Sequence, residues 1–205
     1  MTIPVWKAIV IALLYWFSKA SFTPNLTYSG LKPLPASLIV GLILGDVQTA
    51  LAAGITIQLV FIGHMVIGSV VPSDVHVAGI LGSALAVCLA PELGLEAAVA
   101  SGMSLAVAVA TPAAAISPLL KGVNTVFNEK SRACAEKGDL RMQRIWHIVP
   151  GQILVFVCYF PLALVFLLLM GNATVLEAVT TVLTPISGYL SVVGSVMVRG
   201  WSPNS

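Results

Sequence analysis

The chain has 205 residues, of which 58% are apolar and 9% charged, with a formal net charge of +2. A soluble protein carries about a quarter charged residues, so a soluble globular class is excluded and an all-α, polytopic membrane protein is indicated. The longest polar stretch, residues 121–147, is too short to bury a core of its own, so one transmembrane domain over residues 1–205 is expected.

Residues 4–22, PVWKAIVIALLYWFSKASF, predict a first helix with Lys7 and Lys19 near its ends. Trp6, Tyr15, Trp16 and Phe17 suit interfacial anchors. No small-residue cleavage site follows, so a cleaved signal peptide is not expected. A turn-rich connection, TPNLTYSGLKPLP, leads to the ten-residue segment 36–45, ASLIVGLILG. That is half of the ~20 residues a helix needs to cross a bilayer. Gly41 and Gly45 in it fit a GxxxG packing pattern.

After Asp46 the apolar pattern resumes at Val47, runs to Val71 and breaks at Pro72. The next block, Val75 to Ala90, is again short. Leu93 to Leu120 is long but carries Pro112 and Pro118, which predicts a kinked or split helix. A loop follows at 121–147, and then Ile148 to Met170 reads as a spanning helix with an interruption at Pro161. The tail offers an amphipathic stretch, a break at Pro185 and a last apolar run ending at Arg199 and Trp201. In transporters, short apolar segments interrupted by Gly and Pro mark discontinuous helices that build the substrate site. Tilted or re-entrant helices in a small-residue bundle are the other reading.

Charge is unevenly distributed. No Lys or Arg lies between Lys32 and Lys121, whereas six of the ten basic residues fall in 121–147. Loops rich in Lys and Arg stay cytoplasmic, so this one is placed inside the cell. Asp46, Asp74, Glu92 and Glu96 are the acids between 33 and 120, and none has a basic neighbour in sequence. Glu92 and Glu96 flank a turn where water or headgroups can solvate them.

Asp46 and Asp74 each follow a break and precede an apolar run, the place of a helix N-cap that accepts free backbone N–H groups. For Asp74 a second role stays open, because Pro72, Ser73, His76 and the polar residues Gln58 and His64 of the preceding helix can converge there. Gln58 and His64 lie about 120° apart on an ideal helix and do not share a face. A neutral polyhydroxylated ligand calls for such a set: a carboxylate that accepts hydroxyls and an amide that both donates and accepts. An anionic ligand would find no cation in this stretch.

Other chemistries find no support. There is no G-x-x-x-x-G-K-[ST] loop, G-x-S-x-G elbow or H-E-x-x-H motif. His64, His76 and His147 form no metal cluster, and Cys88, Cys134 and Cys158 read as packing residues. No catalytic residue, metal, cofactor or nucleic-acid partner is expected. An intramembrane enzyme using the Asp46/Asp74 pair would need the two carboxylates to approach each other.

The stretch PLPASLIVGLILGDVQTALAAGITIQLVFIGHMVIGSVVPSDVHVAGILGSALAV resembles the membrane subunit IIC of the mannose/fructose/sorbose class of the bacterial phosphotransferase system (PTS). The residues that carry the pattern are Gly41, Leu44, Gly45, Asp46, Thr49, Thr56, Gln58, Leu59, Gly63, Gly68, Pro72 and Asp74. EKSRACAEKGDLRMQRIWHI resembles the polar loop of that family, and Val66 departs from relatives that carry a polar residue there. Members of the family continue past the segment matching SGYLSVVGSVMV, so the chain reads as shortened at its C-terminus.

The resemblance implies an inverted-repeat transporter fold with discontinuous helices, in the bacterial inner membrane, translocating a hexose or amino-hexose. It implies a membrane partner IID, soluble IIA and IIB phosphocarriers that hold the phosphohistidines, and an oligomer of IIC–IID heterodimers. On this reading Asp74 and Gln58 contact sugar hydroxyls, with His64, Ser69 and Ser73 nearby, and Asp46 and Pro72 shape the helix breaks. A truncated subunit that only binds IID is the alternative.

Overall fold

A computed structural model of the chain describes residues 3–19, 31–62 and 74–199, and helices account for nearly all of them. His64, Ser69, Pro72 and Ser73, together with Val66, lie outside the described residues. The first helix, α1, spans Val5–Lys19. Two short helices follow, α2 at Pro33–Leu44 and α3 at Val47–Val60. At 1.5 Å per residue they are only about 18 and 21 Å long, short of the ~30 Å hydrocarbon core.

They fold back on each other as an antiparallel hairpin. Gly54 packs on Ser37 and Pro33, and a Cβ on Gly41 would lie 2.8 Å from both Ala50 Cβ and Val47 Cα. Gly45 does something different from the packing that the GxxxG pattern suggested. It ends α2 in the left-handed region, φ 96°, with no atom near its missing side chain. A glycine carries no Cβ penalty there, which is why it terminates the helix.

Helix α4, Val75–Leu93, is the centre of the fold. Every residue from Val77 to Leu89 is buried, as expected of a helix that is apolar on all sides. Around it pack α1, α2, α3, α5 and α6. Small residues set the closest seam: Gly82 meets Ala106 and Gly102 of α5, and a Cβ on Gly102 would lie 2.7 Å from the Gly82 carbonyl.

The structure corrects two expectations, the split alternative at Pro112 and Pro118 and the loop at 121–147. Pro112 and Pro118 do not split their helix, because α5 runs unbroken over Leu95–Glu136, 42 residues. Likewise α6, Leu140–Met170, continues through Pro150 and Pro161. In an apolar surrounding an interrupted helix would strand many backbone groups, whereas a proline removes one bond that neighbouring donors can offset. Beside Pro112 the Asp74 amide donates to the Ala110 carbonyl at 3.0 Å, which ties α5 to the head of α4.

The second correction concerns residues 121–147, expected as a loop. They are helical on both sides of a three-residue turn, Lys137–Asp139. The segment is mostly exposed and rich in polar residues but is zipped as a hairpin, so its helices persist. Phe127 stacks on Trp146, Lys130 sits 4.8 Å over the same ring, and the Ser131 hydroxyl donates to the Gln143 carbonyl at 3.0 Å. Asp139 caps α6 by accepting from the Met142 amide. Helix α5 is about 63 Å long, roughly twice the hydrocarbon thickness, so this hairpin projects well beyond it.

The tail forms α7, Ala173–Leu183, a short 3-10 turn at Thr184–Ile186 that contains Pro185, and α8, Ser187–Arg199, which packs against α5. Helices α4, α5 and α6 are each long and apolar enough to cross a membrane.

Candidate functional site

The site is organised around the start of α4. Asp74 is its N-cap, and Oδ1 accepts from the backbone amides of His76 and Val77, both at 3.2 Å. The same oxygen lies 2.7 Å from the Lys19 ammonium, and Oδ2 accepts from the Tyr15 hydroxyl at 2.8 Å. The carboxylate is 2% exposed. A buried carboxylate is tolerated when its charge is paired and its lone pairs are bonded, and here both conditions hold.

Sequence reasoning missed this cation. It assigned none to the region because Lys19 lies far away along the chain, and packing of α1 on α4 brings it in. Tyr15 is also corrected: it is wholly buried rather than an interfacial anchor. The available signal was spacing. Tyr15 and Lys19 are four residues apart, hence on one face of α1, and a polar pair on one face of an apolar helix asks for a buried partner.

Tyr159 of α6 completes the wall. Its ring meets Tyr15 edge to face at 5.6 Å between centroids and lies 5.6 Å from the Lys19 nitrogen. Such contacts orient both groups at modest energy, about 0.5–1.5 kcal/mol for an aromatic pair.

Gln58 is half-buried on α3, and its Oε1 accepts from the Leu34 amide at 3.0 Å, at the start of α2. An unpaired amide at a helix N-terminus needs such an acceptor. His76 reaches the same strip of chain from the other side, with Nδ1 2.9 Å from the Leu31 carbonyl. Since a carbonyl only accepts, Nδ1 carries the hydrogen. Gly79 lies against Pro33. Residues 31–34 thus lie between Gln58 and the Asp74–His76 turn, which connects the two predicted contact residues through one short segment.

Asp46 accepts from the Thr49 amide at 3.1 Å and caps α3. It and Asp74 cap different helices, α3 and α4. Among the described residues no group of three His, Cys, Asp or Glu side chains could hold a metal ion.

A short helical hairpin packed against helices long and apolar enough to cross a membrane is the architecture of a multi-pass membrane protein. Residues 5–199 match the family described as the PTS system sorbose-specific IIC component, and the chain belongs to that family. It is similar to the fructose permease IIC component of Bacillus subtilis (strain 168), 27% identical over 117 residues, 57% of this chain and 41% of that protein. Similarity to the mannose-specific EIIC component of Escherichia coli (strain K12) is 27% over 109 residues, 53% of this chain and 39% of the relative. The matched stretch thus spans about two fifths of these relatives' length.

Two solved structures share the fold. One, described as a membrane protein, matches at TM-score 0.71 and 23% identity over 97% of this chain and 80% of its own. The other, a cryo-electron microscopy structure of the mannose transporter ManYZ with microcin E492, matches at 0.64 and 20% identity over 98% and 77%.

Proposed function

We propose that this chain is a sugar-translocating IIC component of a phosphotransferase permease, carrying a neutral hexose or amino-hexose across the bacterial inner membrane for phosphorylation by a IIB phosphocarrier. The single observation that carries the reading is the Asp74 carboxylate at the head of α4, inside a chain whose family comprises sugar-permease components. Asp74 and Gln58 are the residues assigned to sugar hydroxyls, with His64, Ser69 and Ser73 as further candidates. Gln58 uses its oxygen on Leu34, so its amide nitrogen is the group left to donate.

The chain works with a membrane partner IID and with soluble IIA and IIB proteins, as an oligomer of IIC–IID heterodimers. It supplies the path rather than the phosphoryl chemistry and has no catalytic residue of its own. The hairpin 121–147, rich in Lys and Arg, faces the cytoplasm.

Uptake of labelled mannose, fructose, sorbose and N-acetylgalactosamine in cells supplying the partner proteins tests the reading. Asp74→Asn is expected to abolish uptake when compared with wild type at equal membrane abundance. Wild-type uptake by that variant would remove Asp74 from the sugar site.

A further inference from the structure

The two oxygens of Asp74 are unequally occupied. A carboxylate offers about two lone-pair sites on each oxygen; Oδ1 already takes three donors, the Lys19 ammonium and the backbone amides of His76 and Val77, whereas Oδ2 takes one, the Tyr15 hydroxyl. A vicinal diol held in two-point fashion needs a free site on each oxygen. Oδ2 has room for one hydroxyl, but a second reaches Oδ1 only in place of one of its three donors.

The four donors differ in their freedom to go. The amides of His76 and Val77 are fixed in the first turn of α4. Tyr15 is wholly buried and braced by Tyr159. Lys19 has a flexible four-carbon stem, is 19% exposed against 2% for Asp74, and terminates α1. Its ammonium also lies 5.6 Å from the Tyr159 ring centroid, a π face that can keep the charge once the carboxylate lets go.

We propose that Lys19 is an internal competitor for the Asp74 carboxylate, so that the ammonium and a sugar hydroxyl occupy the same place on Oδ1 in turn. This rests on the assignment of Asp74 to the sugar site. Occupancy by Lys19 ties α1 to α4 in the empty protein, and sugar binding releases that tie. The hydroxyls take over the hydrogen bonds that a buried carboxylate cannot do without.

The test compares two substitutions in the full chain in membranes, using binding of labelled mannose, fructose, sorbose and N-acetylgalactosamine as probes. Lys19→Gln leaves a weaker, neutral donor and is expected to tighten binding of the recognised sugar by about fivefold, the gap between charged and neutral hydrogen bonds. Lys19→Arg clamps the carboxylate with a two-pronged guanidinium and is expected to weaken binding by about the same factor. A merely structural lysine gives the opposite order, with Arg near wild type and Gln impaired. That order, or both variants within twofold of wild type, overturns the competition while leaving the sugar site standing. Should Lys19→Gln fail to accumulate, the direction of the Lys19→Arg shift decides alone. Absence of binding by the wild-type chain to all four sugars overturns both readings.

Discussion

The Tyr15 hydroxyl donates to Asp74 Oδ2 at 2.8 Å across 59 residues of sequence, and neither group is open to water. Removing the donor and removing the acceptor are unequal changes. Tyr15→Phe loses one hydrogen bond to a charged group and should cost about 1.5–3 kcal/mol. Asp74→Ala also strips the α4 cap and leaves the Lys19 charge unpaired, so about 3–5 kcal/mol is expected. Thermal unfolding in detergent should rank Asp74→Ala below Tyr15→Phe, and both below wild type. The reverse ranking would mean that the ion pair does not stabilise α4.

Gln58 serves two ends with two different atoms, so they can be separated. Gln58→Glu keeps an oxygen for the Leu34 amide and removes the nitrogen donor, whereas Gln58→Leu removes both. Hydrogen exchange at Leu34 is expected to rise in Gln58→Leu and stay near wild type in Gln58→Glu. Sugar uptake is expected to fall in both. Wild-type uptake by Gln58→Glu would assign Gln58 to the α2–α3 hairpin alone.

The α4–α5 seam depends on having no side chain at Gly102. A methyl there would meet the Gly82 carbonyl at 2.7 Å and Ala86 Cβ at 2.9 Å, atoms with no room to move. Gly102→Ala is expected to destabilise by about 1–3 kcal/mol, the usual cost of overpacking. Gly122→Ala, on the same helix with nothing within 4 Å, is the matched control and should be neutral or slightly stabilising. Equal melting temperatures for the two variants would show that the seam is looser than described.

Sidedness of the projecting hairpin is open to direct labelling. Cys88, Cys134 and Cys158 are all free, so each is replaced first. A single cysteine is then placed at Lys137, an exposed turn position between α5 and α6. A membrane-impermeant maleimide is expected to react in inside-out vesicles and not in intact cells. Labelling in intact cells would put the hairpin outside and reverse the orientation of every span.

Much of the framework was legible in the chain itself, because local chemistry dictates it. Composition alone excludes a soluble fold. The breaks at Gly45–Asp46 and Pro185 follow from a residue that adopts positive φ without strain and from one that lacks an N–H. Asp46 and Asp74 stand where a cap must stand, just ahead of apolar runs whose first amides have no partner within the helix. Family membership was legible partly for the same reason: its pattern includes the helix-ending Gly45 and the caps Asp46 and Asp74.

Tertiary structure decided what depends on distant neighbours. Pro112, Pro118, Pro150 and Pro161 carry the same local signal as Pro185, yet their helices continue. Whether a lost backbone bond breaks a helix depends on the donors and packing around it. Residues 121–147 looked like a loop by polarity, and the pairing of Phe127, Lys130 and Ser131 with the opposite helix made them a hairpin. The same holds at the site. Asp74 could be read as a buried acid needing a partner, but Coulomb attraction depends on distance in space, and only the packing of α1 against α4 and α6 put Lys19 2.7 Å away.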